Sequence, residues 1–281
     1  MKIQERIKLA SNIIFGRKDR SIPAGRKVTV YSDDVFITSY PKSGNTWLRF
    51  LVSNLFWCDS EPTDFFSMGE RTPDIYWHTD SHIKNLPRPR FIKSHEYFDP
   101  RYPKVIYVVR DVRAVFVSYH DFLIRFGKIA SEVSLHEFAE PFLRGDLDKF
   151  ASWRENVLSW IRLRGDDHER FCLIRYEDLK LKGKKTLEKI ASFLKLERSE
   201  AQIERALEMS TLTRMKELEE EGLSQKKAQT QAIKQAIAQG RKSIPVVKFG
   251  RIDRWREILD QKVLDIIKAD CLDLLLELGY E

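Results

Sequence analysis

The chain has 281 residues, 42% of them hydrophobic, enough to bury the core of one large α/β domain or two small ones. Forty-nine Lys and Arg against 42 Asp and Glu leave a formal charge of +7, which favours anionic ligands. Both signs are interspersed, with no long basic block, zinc-finger spacing or aromatic RNA-binding signature, so no nucleic-acid partner is expected. No apolar run approaches the roughly 18 residues that span a bilayer, and "MKIQERIKLASNIIFGRKDR" lacks the apolar centre of a secretory signal. Cys58, Cys172 and Cys271 form no C-x-x-C pair or metal-ligand spacing, so a cytoplasmic protein without a membrane span is expected.

The first predicted element is a short strand at Val35-Phe36-Ile37, and Leu48, Leu51, Val52, Leu55 and Phe56 recur on one face of the following helix. The turn between them, "TSYPKSGNTW", suits an anion. The first N–H groups of a helix attract negative charge, and Gly44 lets a phosphate approach the backbone. Lys42, Ser43, Asn45 and Thr46 add a charge and side-chain donors, against the alternative that Pro41 and Gly44 only shape a turn. This is not a Walker loop, because Lys42 precedes the glycine and no Lys-Ser or Lys-Thr follows it.

Next come a short strand in "RFIKSHE", a buried strand in "KVIYVVR" and a helix with Val112, Val115, Phe116 and Tyr119 facing inward. A further helix is predicted through Phe150, Trp153, Val157, Trp160 and Ile161, then a strand in "FCLIRYEDL" and a helix with Leu187, Ile190, Ala191 and Leu194. Strands alternating with helices predict an α/β fold, a central mostly parallel sheet covered on both faces, with the ligand crevice at the carboxyl ends of its strands. Lys42, Ser94, His95, Arg110 and Tyr176 all fall at such ends. No repeat or linker divides residues 1–281, so a single domain is expected, with Glu219–Ser243 a polar stretch read as a solvated helix or a lid.

Four segments in order resemble the sulfotransferase family, enzymes that take a sulfuryl group from 3′-phosphoadenosine 5′-phosphosulfate (PAPS). "YPKSGNTW" is similar to the family's 5′-phosphosulfate loop and "VVRDVRAVFVSY" to its 3′-phosphate motif, with Arg110 and Ser118 eight positions apart. "FIKSH" resembles the acceptor-side strand, and "RYEDL" the segment whose tyrosine meets adenine. The resemblance runs from about Val35 to Trp255. It implies a three-layer, P-loop-like architecture of the sulfotransferase and nucleoside-kinase type. It also implies donor contacts from Lys42, Ser43, Gly44, Asn45, Thr46, Trp47, Arg110, Ser118, Tyr176, Ser210, Lys248, Phe249 and Gly250. Alternatives stay open on the residues alone: Arg110 paired with Asp111, Ser118 an indifferent helix residue, Trp47 core, and Glu177-Asp178 a helix start. In "KFGRIDRW", Lys248 replaces the family's arginine and Asp253 its second glycine, while in "STLTRMK" Leu212 replaces an aromatic. The dimerisation motif of some members is not recognisable, so no oligomer is inferred.

Sulfuryl transfer needs in-line geometry and stabilisation of charge on the departing oxygen. The resemblance assigns the leaving charge to Lys42, the sulfuryl oxygens to Lys93 and the acceptor proton to His95. Near an ordinary imidazole pKa of about 6.5, His95 would place the acidic limb of the pH profile in that range. No metal is expected. His78 and His82 read as exposed loop residues and His120 as a satisfied structural one. A P-loop-type kinase or a non-catalytic nucleotide-binding module are the rival readings. The acceptor is expected to be a hydroxyl of a small molecule, glycan or lipid, with residues around Phe65 to His82 and the polar stretch shaping its site.

Overall fold

The computed structural model describes residues 27–224 and 250–280. Four parallel strands form one sheet: β1 (Val35–Thr38), β2 (Phe91–Ser94), β3 (Lys104–Val109) and β4 (Phe171–Arg175), in the order β2-β1-β3-β4. β1, β3 and β4 are mostly apolar, as expected for strands buried on both faces, whereas β2 ends in buried Lys93 and Ser94. Alternate side chains enter separate cores. Phe36, Val105, Tyr107 and Val109 pack into one, while Val35, Ile37, Ile106 and Val108 pack into the other.

The second of these cores is closed by α1 (Asn45–Phe56), which carries Leu48, Leu51, Val52 and Leu55 inward. Two short helices, α2 (Ser67–Arg71) and α3 (Asp80–Lys84), lead into β2. The first core is closed by α4 (Val112–Arg125), α5 (Leu135–Leu143) and α6 (Trp153–Arg164). After β4 come α7 (Tyr176–Leu181), α8 (Gly183–Phe193), α9 (Glu200–Glu208) and α10 (Leu212–Ser224). Beyond the gap in the described residues, α11 (Trp255–Ile258) and α12 (Gln261–Glu277) return to the first core.

Local sequence sets several boundaries. Ser134 with Glu137, Ser152 with Glu155, and Ser199 with Gln202 form reciprocal capping boxes that start α5, α6 and α9. The box at Ser152 corrects the predicted helix: Phe150 lies in the turn before α6 instead of on it. The polar stretch is also corrected at its beginning, since Glu219 lies within α10 and is only 3% exposed. Residues 225–243 of that stretch lie outside the described residues, as do Lys248 and Phe249.

Candidate active site

Strand register puts the expected residues in two neighbouring pairs. Thr38 lies opposite Ser94, so the next residues, Ser39 and His95, emerge side by side from β1 and β2. Val109 lies opposite Arg175, so Arg110 and Tyr176 do the same from β3 and β4. The crevice at the carboxyl ends of the sheet therefore has an imidazole on one side and a guanidinium on the other.

On the imidazole side, Nδ1 of His95 lies 2.7 Å from the carbonyl of Ser39. A carbonyl only accepts, so Nδ1 carries the proton and Nε2 keeps its lone pair. Among the described residues no hydrogen bond reaches Nε2. Burial pushes the imidazole pKa well below its ordinary value, and the positive charges of Lys93, Lys42 and Arg49 push in the same direction, with only the Ser39 carbonyl opposing them. The imidazole is thus held well below the ordinary range that the sequence expectation assumed. The backbone N–H of His95 donates to the Tyr76 hydroxyl at 2.8 Å, the Tyr76 ring stacks at 6.1 Å, and Phe150 packs edge-on at 5.4 Å.

Lys93 stands one turn of the pleat before His95. Its ammonium pairs with Asp74 at 2.8 Å, both side chains being 9% exposed, and the segment around Asp74 is bridged to Lys93 like an added strand. Burial lowers the Lys93 pKa, and the Asp74 carboxylate works against that. The sequence pattern did not reveal Asp74, because nothing in the spacing of "RTPDIYW" links it to a strand that follows. Arg49 was missed for a similar reason, since it sits within the apolar helix α1. It is buried, donates to the Thr72 carbonyl at 2.5 Å, and has its pKa lowered to about 10 by burial.

The turn from β1 to α1 is held open by its backbone. Lys42 and Gly44 have φ of 67° and 95°. At Gly44 a Cβ would come within 2.4 Å of the Tyr176 ring, so only glycine combines this conformation with that approach. No side chain caps the start of α1. Asn45 turns inward: its amide donates to the Ile37 carbonyl and to Ser39 Oγ, both at 3.2 Å, so its donors brace the turn. Ser43 Oγ is buried with no hydrogen-bond partner, and Thr46 is partly exposed on the first turn. The Lys42 ammonium lies 4.2 Å over the Phe122 ring.

On the guanidinium side, Arg110 donates to the carbonyls of Lys42 at 3.2 Å and Arg251 at 3.0 Å and lies 4.5 Å over the Tyr176 ring. Its Nε is buried without a partner. Among the described residues no carboxylate neutralises it, because Asp111 is engaged by Arg113 at 3.0 and 2.7 Å. The alternative Arg110–Asp111 pair is thus not the one formed. Residues 32–277 match the sulfotransferase domain family. The chain belongs to the sulfotransferase family.

Among curated relatives, rabbit amine sulfotransferase is 29% identical over 196 residues, a match covering 66% of this chain and 64% of that protein. Mouse sulfotransferase 2A6 is 30% identical over 206 residues, covering 68% of this chain and 69% of the relative. In solved structures the fold recurs in retinol dehydratase crystallised with androsterone and PAP, at a TM-score of 0.69 and 21% identity over 97% of this chain and 85% of that one. A mouse sulfotransferase complexed with PAP gives a TM-score of 0.64 at 21% identity, covering 87% and 86%.

The remaining expected residues are arranged unevenly. Trp47 packs 5.6 Å from Tyr176 and donates from Nε1 to the Ser210 carbonyl at 2.8 Å. Ser210 is fully buried, its hydroxyl accepting from the Asn54 amide at 2.9 Å, so the side chain is engaged internally. Ser118 lies partly exposed on α4, and Gly250, with φ of 58°, approaches Leu212. Glu177 and Asp178 do open a helix, α7. Buried Glu177 also ties two other segments together, accepting from the Asp111 N–H at 3.3 Å and the Tyr280 hydroxyl at 2.8 Å, and burial raises its pKa. His120 bonds the Val133 carbonyl at 2.7 Å, as a structural histidine would. His78 is corrected from an exposed residue to a half-buried one, whose Nδ1 accepts from the Asp74 N–H at 3.0 Å. Phe65, at the start of the segment expected to shape the acceptor site, is buried against Phe50 in a small third core. No described helix is long and apolar enough to cross a membrane, and among the described residues no cluster of His, Cys, Asp or Glu could hold a metal ion.

Proposed function

We propose that this chain transfers the sulfuryl group of PAPS to the hydroxyl of a small-molecule acceptor, with His95 as general base. The observation that carries the reading is the fixed tautomer of His95, whose Nε2 lone pair stands beside a phosphate-type turn. The donor-side residues fit PAPS: Arg110 has a charge without a carboxylate, Ser43 Oγ and Arg110 Nε are buried and unsatisfied, and α1 begins uncapped. When bound, PAPS supplies a sulfuryl group on an already activated leaving phosphate.

His95 takes the acceptor proton at Nε2 while Nδ1 stays bonded to Ser39, which fixes the ring in a productive orientation. Lys42 and the N–H groups opening α1 hold the negative charge that develops on the donor side. Lys93, set in place by Asp74, faces the sulfuryl oxygens, and its ion pair keeps it charged in a buried position. Arg110 and Ser118 hold the 3′-phosphate, and Trp47 and Tyr176 flank the base. Gly250 adds its backbone at the 3′ side.

The test is incubation with PAPS and a panel of phenols, alcohols, glycans and lipid extracts. A PAPS-dependent mass gain of one sulfuryl group on a small molecule, with release of PAP, is the expected result. Phosphorylation from ATP would establish the kinase reading, binding of PAP without turnover the binding-module reading, and sulfation confined to the glycans or lipids a different acceptor class.

A further inference from the structure

The acceptor side of His95 carries a cation for which the proposed transfer has no use. The Lys149 ammonium lies 4.4 Å over the ring of Tyr76 and 5.4 Å from that of Phe150. These are the same two rings that contact the imidazole, at 6.1 and 5.4 Å. The ammonium and the imidazole thus share one aromatic patch, in which Tyr76 and Phe150 touch edge to face at 5.1 Å. Lys149 is half-buried, and no ion pair within the described residues involves it. Its neighbour Asp148 is committed elsewhere, accepting from the Tyr119 hydroxyl and from the Phe150 N–H.

The position is set by the backbone. Ala151 adopts φ of 70° just before the capping box at Ser152, and this turn delivers both Phe150 and Lys149 to the face of Tyr76. A cation resting on aromatic faces keeps its charge while losing part of its hydration, which leaves it ready for an anion. Lys93 is also near Tyr76, at 4.7 Å, but its charge is matched by Asp74. The uncompensated charge on this side belongs to Lys149.

We propose that Lys149 is a specificity-determining residue that selects hydroxyl acceptors carrying an anionic group, such as a carboxylate, about one aromatic ring away from the hydroxyl to be sulfated. The aromatic part of such an acceptor packs against the touching Tyr76–Phe150 pair, whose centroids are 5.1 Å apart, its hydroxyl reaches His95 Nε2, and its anion meets the Lys149 ammonium. This rests on the transfer reading above for the role of His95, but the binding preference can be measured without turnover.

Two matched pairs serve as probes: 4-hydroxyphenylacetate with its methyl ester, and 4-hydroxycinnamate with its methyl ester. Calorimetric titration into the full chain with PAP present measures binding, and PAPS-dependent sulfation gives KM and kcat. The expected result is a preference for the acid over its ester of about two- to fivefold in affinity, in the range for one partly exposed ion pair. Lys149→Met abolishes that preference through KM, and Lys149→Arg keeps it. Equal binding of acid and ester, a preference for the ester, binding of neither pair, or a Lys149→Met variant that still prefers the acid overturns the proposal. Acid-selective binding without sulfation of any probe upholds the role of Lys149 and counts instead against the transfer reading.

Discussion

The two sides of the crevice handle charge in opposite ways. At the ends of β1 and β2, the strand-borne groups are already matched: Lys93 is paired with Asp74 and His95 is tied to the Ser39 carbonyl. Beside β3 and β4, Arg110 is held only by neutral carbonyls and a ring, with one nitrogen left unsatisfied. The first side fixes orientation before any ligand arrives, whereas the second keeps a charge in reserve for one. Under the proposed roles, preorganisation would be concentrated where a proton and sulfuryl oxygens are aimed, and open electrostatic capacity where an anion is captured.

The sharpest way to break this contrast is at His95. His95→Ala is expected to lower turnover on the order of 10²–10⁴-fold while leaving PAP affinity nearly unchanged, as measured by steady-state rates and calorimetry. Equal losses in both would make the imidazole part of the donor site. The wild-type pH profile should also retain activity well below pH 6.5, because the depressed pKa keeps Nε2 unprotonated there. Stability has a related sign. The folded pKa lies below the unfolded one near 6.5, so this contribution is present above about pH 6.5 and is lost as pH falls toward the folded value. Denaturant melts of His95→Gln should show a weaker loss across that window.

Asp74→Ala probes the matched side through its partner. Removing one member of a buried ion pair leaves the other charge uncompensated, and about 3–5 kcal/mol of folding stability should be lost in chemical denaturation. Asp74→Asn, which keeps a hydrogen-bonding group, should lose less. If both unfold like the wild type, Lys93 is solvated and the idea of a prewired side fails.

The open side gives a smaller and more selective effect. Arg110→Ala should weaken PAP by about 1.5–3 kcal/mol, the range for hydrogen bonds to a charged group, and AMP much less. A uniform loss for both nucleotides would move Arg110 away from the 3′-phosphate and blur the distinction between the sides.

Sequence made the frame of this site visible because buried parallel strands read as short apolar runs and their ends are easy to find. His95, Arg110 and Tyr176 each immediately follow such a strand. What escaped were groups whose roles depend on chain segments meeting in space. Asp74 reaches Lys93 from a loop with no periodicity, and Phe150 moved off its predicted helix because a Ser152 cap outweighed the apolar spacing. Asn45 and Ser210 are expected donor contacts, and their side chains also make internal hydrogen bonds that no linear pattern displays.

The bond from Tyr280 to Glu177 couples two distant parts of the chain. Glu177 immediately follows Tyr176 and also receives the Asp111 N–H next to Arg110, while Arg175 donates to the Gly279 carbonyl at 3.0 Å. The segment after α12 is thereby hydrogen-bonded to residues beside Tyr176 and Arg110, and if these hold the donor the two would be linked thermodynamically. Tightening one must protect the other: amide hydrogens at Gly279 and Tyr280 should exchange more slowly when PAP is bound, and Tyr280→Phe should cost the ligand about 1 kcal/mol of affinity. A group more than a hundred positions from Tyr176 in sequence would then become a reporter of occupancy.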